Sequence, residues 1–334
     1  MPMADHPDPS RPRSAAPSRR GVLAGGAALA AALRWSPGLA AGIPAGTVLK
    51  VGDQKGGSQS VLEAAGLLKD LPYAIEWRQF PAAAPLLEAL NAGAIETGYA
   101  GDAPTTFALA AGARAKIIAA VRSTNRNTAI LVPANSPIRS VADLKGRTIG
   151  TSRGSIGHYL LLAAGREAGL APGDVRLASL LPTDAKTALA GGSIDAWATW
   201  GIYTAQATLR DGLRVLVNGE KRMSGLNYQS ATLDAIATKR EALADLVGRL
   251  AVARQWALDN IDAYSEHWGR TVGVDTDIAR DAFANDRFRA VPIDPRVLAD
   301  QQATADLWHG TGIIPVRVDS GAVFDPSFNT ALPA

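Results

Sequence analysis

Residues 47–112 and 148–200 of this 334-residue chain carry one pattern twice: a short apolar run, a turn of glycine and small hydroxyl residues, then a stretch with apolar positions at helical spacing. Strands are read at 47–51, 74–80, 96–99, 116–121, 129–133, 148–151, 175–180 and 196–199. Helices are read from 59 onward and at 84–92, 104–111, 156–168 and 184–190. Such alternation is the pattern of an α/β protein with mostly parallel strands. Because the pattern occurs twice, the expected architecture is two lobes joined by two crossings. Lobe 1 comprises 47–131 and 234–334, and lobe 2 comprises 132–233. Hinged pairs of this kind close around ligands. Beyond 233 the chain is read as helical, with Leu243, Leu246, Val247, Leu250 and Trp256 at helical spacing, and the tail from Val323 as a surface wrap.

In open parallel sheets a ligand sits beyond the carboxyl ends of the strands, where helix N-termini point. Four turns are built alike here, namely Gln54-Lys55-Gly56-Gly57-Ser58, Gly101-Asp102-Ala103-Pro104, Ser152-Arg153-Gly154-Ser155-Ile156-Gly157 and Pro182-Thr183-Asp184. Glycine admits a ligand to the backbone, hydroxyls add donors, and the free N–H groups of each helix end favour an anion by about 0.3–2 kcal/mol. One such turn is ordinary N-capping; four together predict an anion pocket. The candidate contacts are Gln54, Lys55, Gly57, Ser58, Gly101, Asp102, Ala103, Ser152, Gly154, Ser155 and Asp184. His158, on the first turn after Ser155, and Trp200, at the end of the last strand of the second unit, complete the set. Trp197 is read as core, and Arg122 and Arg126 as solvated or hinge residues.

Charge restricts the partner. Residues 1–40 hold five arginines against Asp5 and Asp8, which accounts for the whole net charge of +3; the remainder is formally neutral. A nucleic-acid partner therefore loses its electrostatic support. In that leader, Arg19-Arg20 precedes the apolar run 22–33, with small residues near Ala40 and Ala41. This reads as a cleaved export signal of the twin-arginine kind, hence a periplasmic protein. The chain has no cysteine, so it has no disulfide, thiolate metal site or thiol nucleophile. No metal and no cofactor are expected.

Several blocks carry a family resemblance: KGGSQSVLEAAGLL at 55–68, FPAAAPLLEALNAGAIETGYAGDAPTTFALAAG at 80–112, SPIRSVADLKGRTIGTSRGSIGHYLL at 136–161 and LPTDAKTALAGGSIDAWATW at 181–200. In order and spacing they resemble the periplasmic substrate-binding proteins of ABC importers for aliphatic sulfonates, and the related taurine and nitrate binders. The resemblance implies an α/β, two-lobed periplasmic binding protein of type II with two crossovers between lobes. It also implies a monomer that binds a sulfonate or sulfate ester, performs no chemistry on it, and hands it to a membrane permease and its ATPase. Nitrate, taurine or a pyrimidine precursor are the alternative ligands. Enzymes that resemble this fold depend on a cysteine or on histidines. This chain has no cysteine, and beyond the leader only the scattered His158, His267 and His309.

Two residues bear on specificity. Asp102 or Ala103 is expected to cap the helix that Pro104 enters, leaving the anion to the Ser58 and Ser155 ends. Relatives carry an acidic residue after the second tryptophan, whereas Trp200 is followed by Gly201. The resemblance then implies a pocket with no carboxylate for an amine, which favours a plain sulfonate over taurine.

Overall fold

The computed structural model describes residues 42–333. The expected export leader, with its paired arginines and cleavage point, lies outside the described residues. The first half of the fold is β1 (Val48–Gln54), α1 (Ser58–Ala64), β2 (Ala74–Phe80), α2 (Ala83–Asn91), β3 (Thr97–Gly101), α3 (Asp102–Ala110) and β4 (Ala115–Arg122). There follow β5 (Ala129–Pro133), β6 (Thr148–Thr151), α4 (Ile156–Glu167), β7 (Arg176–Ser179), α5 (Pro182–Ala190), β8 (Ala196–Thr199), α6 (Ile202–Leu209) and β9 (Leu213–Asn218). The chain ends with β10 (Leu226–Thr232), α7 (Leu233–Thr238), α8 (Arg240–Asp259), α9 (Ile261–Val272), α10 (Thr276–Asp286), β11 (Arg289–Val291) and α11 (Pro295–Gly310).

These strands form two sheets, one ordered β11-β4-β10-β3-β1-β2 and the other β7-β6-β8-β5-β9. Apart from the short edge strand β11, the two share one order, in which a strand arriving from elsewhere lies between the third and fourth strands of the unit. Most strands of each sheet run one way, β1 to β4 in the first and β6 to β9 in the second, as expected, but the sheets are mixed: β10 runs antiparallel to both β3 and β4, and β5 antiparallel to both β8 and β9. The reason is geometric. A strand entering from the other lobe starts at the end where its neighbours finish, as Leu226 does opposite Arg122. Period-2 patterning reports burial and not direction, so no local signal carries it. β5 pairs within the second sheet and β10 within the first, so the strands divide at 123–128 and 219–225 rather than at 131 and 233.

Each sheet is covered by helices whose apolar stripes it buries. Leu49, Val51 and Ile118 pack with Leu243, Leu246, Val247 and Leu250 of α8, the stripe read from the sequence. Ile130, Val132 and Ile149 pack with Leu160 and Leu161 of α4. Each such side chain contributes about 1.5–3 kcal/mol relative to exposure. The tail is fastened to the first sheet: Asp325 N donates to Ile117 O at 2.9 Å, and Phe324 and Phe328 are buried. No helix among the described residues is long and apolar enough to cross a membrane.

Candidate functional site

Between the two sheets, where the strands of both point their carboxyl ends, lies a cavity of about 290 Å³. The first unit contributes the turn after β1 and the end of β3, and the second contributes the turn before α4 and the residues after β8. Helices α8, α9 and α10 close one side with Arg254, Tyr264, Trp268, Phe283 and Asp286. The wall is largely apolar and aromatic. Tyr264 and Phe283 stand 4.4 Å apart between ring centroids, and Trp268 and Phe283 stand 5.0 Å apart. Such a lining, with a few polar groups, suits an organic ligand better than a bare inorganic ion.

Of the residues expected from the sequence, Gln54, Lys55, Gly57, Gly101, Ser152, Gly154, Ser155 and Trp200 line this cavity. Gln54 Nε2 donates to Tyr99 O at 3.3 Å, and Lys55 Nζ to Val272 O at 3.0 Å. Ser155 is the N-cap of α4: its Oγ accepts from His158 N at 3.2 Å, and its own N–H donates to Ser152 O. That leaves the N–H groups of Ile156 and Gly157 without a partner among the described residues. Gly154 has φ +76°, and a Cβ there would meet the Phe107 ring of α3 at 3.0 Å, so this glycine lets the turn close against α3.

The structure places the other five expected residues outside the lining, each for a physical reason. Ser58 is buried beneath the turn, with its N–H donating to Asp53. Asp102 is not the N-cap; Gly101 is, and Asp102 occupies the first helical position. Its carboxylate turns away from the cavity, accepting from Ser224 Oγ, from Thr304 Oγ1 at 3.1 Å and from Ala103 N at 2.6 Å. Burial pushes its pKa up. Ala103 is fully buried against Tyr159 and Trp308. His158 is buried, with Nδ1 accepting from Gly154 N at 3.1 Å and its ring 5.1 Å from that of Trp308. It shapes the turn from behind. Asp184 is exposed on α5. Arg122 pairs with Asp300 at 2.7 Å, Arg126 pairs with Glu220 at 2.6 Å, and Trp197 is core.

Sequence reasoning missed the buried charged groups of the cavity. Arg254 is 9% exposed and forms no ion pair with a carboxylate among the described residues; its guanidinium carbon lies 4.6 Å from the Tyr99 ring centroid. A signal for it exists, since it falls four residues after Leu250, on the buried stripe of α8, where a cation is out of place. Asp53 takes the free donors of α1, accepting from Ser58 N at 2.8 Å and Gln59 N at 2.9 Å. This helix end is therefore satisfied by the protein's own carboxylate and does not offer those donors to an anion, contrary to the expectation for Ser58. Burial raises the Asp53 pKa to about 6, against the opposing pull of those N–H groups and Arg254. Burial also raises Asp286 to about 7. The cavity thus contains carboxylates, which corrects the expectation of a pocket without one. Gly201 has φ 54° and ψ −127°, a glycine-only conformation, so an acidic side chain directly after Trp200 would be strained. Among the described residues no group of three or more His, Asp or Glu is placed to hold a metal ion.

His158 carries a pH prediction. Burial, then the Arg153 charge, lower its pKa to about 4, against about 6.5 when unfolded. The unfolded chain binds the proton first, so this contribution is full above about pH 6.5 and is lost as pH falls toward about pH 4. Between about pH 7 and about pH 5 the loss is about 2 kcal/mol. Asp53 and Asp286 act in the opposite sense, so the measurement is a comparison. His158→Gln, which keeps an acceptor for Gly154 N, should lose about 2 kcal/mol less unfolding free energy over that range than the unmodified protein. Parallel urea-unfolding profiles for the two would remove this assignment.

Comparison with known proteins agrees with this architecture. The NMT1/THI5-like family matches residues 79–257. An aliphatic sulfonates-binding protein of Escherichia coli is 36% identical over 280 residues, covering 81% of this chain and 86% of its own length. Among solved structures, the alkanesulfonate-binding protein SsuA of Xanthomonas axonopodis pv. citri, bound to MOPS, superposes with TM-score 0.78 at 32% identity, over 84% of this chain and 99% of that one. The periplasmic aliphatic sulphonate-binding protein SsuA of Escherichia coli gives TM-score 0.75 at 32% identity, over 84% of this chain and 92% of that one. With the two mixed sheets, the shared strand order and the cleft between them, these matches assign the chain: it belongs to the NMT1/THI5-like family, among the substrate-binding proteins of ABC importers.

Proposed function

We propose that this protein binds an organic sulfonate in the cleft between its sheets and delivers it to an ABC importer. The observation that carries the reading is Arg254, a buried guanidinium without a carboxylate ion pair among the described residues, set in an aromatic wall of the cavity that the N-terminus of α4 also lines. A guanidinium fork presents paired donors to a planar or tripodal oxyanion. The N–H groups of Ile156 and Gly157, with the α4 dipole, add donors from the second lobe. Trp200, Tyr264, Trp268 and Phe283 cover the carbon body of the ligand. The sulfonate-binding relatives support this reading of the ligand.

The same proposal extends to the chain's surroundings. The leader exports it by the twin-arginine route and is cleaved near Ala40, and the mature protein is a periplasmic monomer that meets a membrane permease coupled to an ATPase. The crossings at 123–128 and 219–225 are the hinge. The bound compound leaves unchanged; the absence of cysteine from the sequence supports binding without chemistry.

A thermal-shift and calorimetry panel on residues 42–334 tests the ligand. At 100 times its dissociation constant a ligand adds about 2.7 kcal/mol of stability. Each added methylene of an n-alkanesulfonate should contribute up to about 0.8 kcal/mol until the cavity is full. Ethane- to pentanesulfonate should therefore bind with rising affinity, and nitrate should bind weakly. Tighter binding of nitrate, a pyrimidine or the matching carboxylates would overturn the sulfonate reading.

A further inference from the structure

Asp286 has no task in the reading above, yet it lines the same cavity. It sits at the C-terminal end of α10 and is 5% exposed. Its Oδ1 accepts from Asn127 N at 3.1 Å, which ties α10 to the crossing segment. Its Oδ2 has no hydrogen-bond partner among the described residues, and no Lys or Arg there forms an ion pair with it. The contrast with Asp53 is direct. Asp53 spends both oxygens on backbone N–H groups and lies within reach of the Arg254 charge, whereas Asp286 has one oxygen left; burial raises its proton affinity first, the Asn127 N–H opposes this, and the charge beside it is the carboxylate of Asp281. The cavity lining therefore holds both a guanidinium near Asp53 and, at the end of α10, a carboxyl without an ion pair among the described residues.

A buried carboxyl without a cation is costly to ionise. A ligand ammonium brings the missing charge and a donor for Oδ2, and an aromatic cavity lining is compatible with a cation. A neutral hydroxyl would supply the donor but not the charge. We propose that Asp286 is a second polar anchor of the cleft, accepting a hydrogen bond from a protonated amine that the ligand carries apart from its sulfonate, so that amine-bearing zwitterionic sulfonates are substrates. This rests on the sulfonate reading and narrows it.

The test is calorimetry of the ω-aminoalkanesulfonates of about two to five methylenes against the n-alkanesulfonates in which a methyl replaces the ammonium. In the unmodified protein, the amine of best length should bind at least as tightly as its methyl counterpart. Asp286→Asn, which keeps the acceptor for Asn127 N, should weaken that amine by about tenfold or more while leaving the alkanesulfonate within about threefold. The inference is overturned if the alkanesulfonate binds about tenfold tighter than the amine at every length in the unmodified protein, a result that does not depend on how the variant folds. It is equally overturned if Asp286→Asn leaves the amine-to-methyl ratio unchanged. In both cases the sulfonate reading survives through the alkanesulfonates. If neither series binds, that reading fails and this inference fails with it.

Discussion

Arg254→Met is expected to weaken sulfonate binding by about 30-fold to about 5,000-fold, the range for removing one partner of a buried, hydrogen-bonded charge pair. The methionine keeps most of the apolar stem that packs within α8, so the fold should persist. Part of the effect arises in the complex itself, where the sulfonate would remain desolvated with only the α4 donors to meet it. Arg254→Lys separates charge from geometry. The ammonium restores the charge but not the fork, so affinity should recover only partly, to within about tenfold of the unmodified protein. Calorimetry with pentanesulfonate, alongside a melting curve for each variant, measures both. An Arg254→Met protein that melts normally and binds within about threefold of the original would remove this residue from the site.

The second large effect is expected at a residue that contacts no ligand. Asp102→Ala strips the half-buried Ser224 Oγ of its acceptor, leaves Thr304 Oγ1 only the Asp300 carbonyl at 3.2 Å, removes the acceptor of Ala103 N and opens a void at a buried position. An unsatisfied polar group costs about 1–3 kcal/mol and the void adds to this, while relaxation recovers part, so a loss of about 2–4 kcal/mol is expected in urea unfolding. Asp102→Asn keeps the shape and one acceptor. Burial already holds a proton on the native carboxyl more readily than usual. The amide should therefore cost about 1 kcal/mol or less. Affinity for pentanesulfonate should stay within about threefold in whichever variant folds, because the carboxyl faces α11 and the second crossing instead of the cavity. Tenfold weaker binding by a stable Asp102→Asn protein would place the carboxyl back in the ligand site.

These two residues mark how far the sequence is legible. The turns are readable because their signals are local: Gly101 and Pro104 announce a strand-to-helix corner, and Ser155 announces an N-cap. The side to which Asp102 points is not readable, since its partners lie 122 and 202 residues away along the chain. Arg254 is half legible. Its position on the apolar stripe of α8 announces burial, but nothing nearby says that the stripe ends at a cavity. Ser58 misleads because nothing local marks Asp53, at the end of β1, as the carboxylate that caps the next helix.

The amino-acid order alone determined the alternating strands and helices, the two repeated units, the glycine and serine corners and the neutral charge of the folded part, because each depends on residues within a turn or two of one another or on composition. Only the tertiary structure decided the direction of β5 and β10 in their sheets, the side on which Asp102 and His158 are satisfied, and the gathering of Arg254, Asp53 and Asp286 around one cavity. The physical reason is separation. Asp53 and Asp286 come from opposite ends of the described chain and share a site because α8, α9 and α10 pack back over the first sheet, burying the stripe of Leu243, Leu246, Val247 and Leu250. The burial that drives that packing brings the charges with it and sets their proton affinities, which no local pattern encodes.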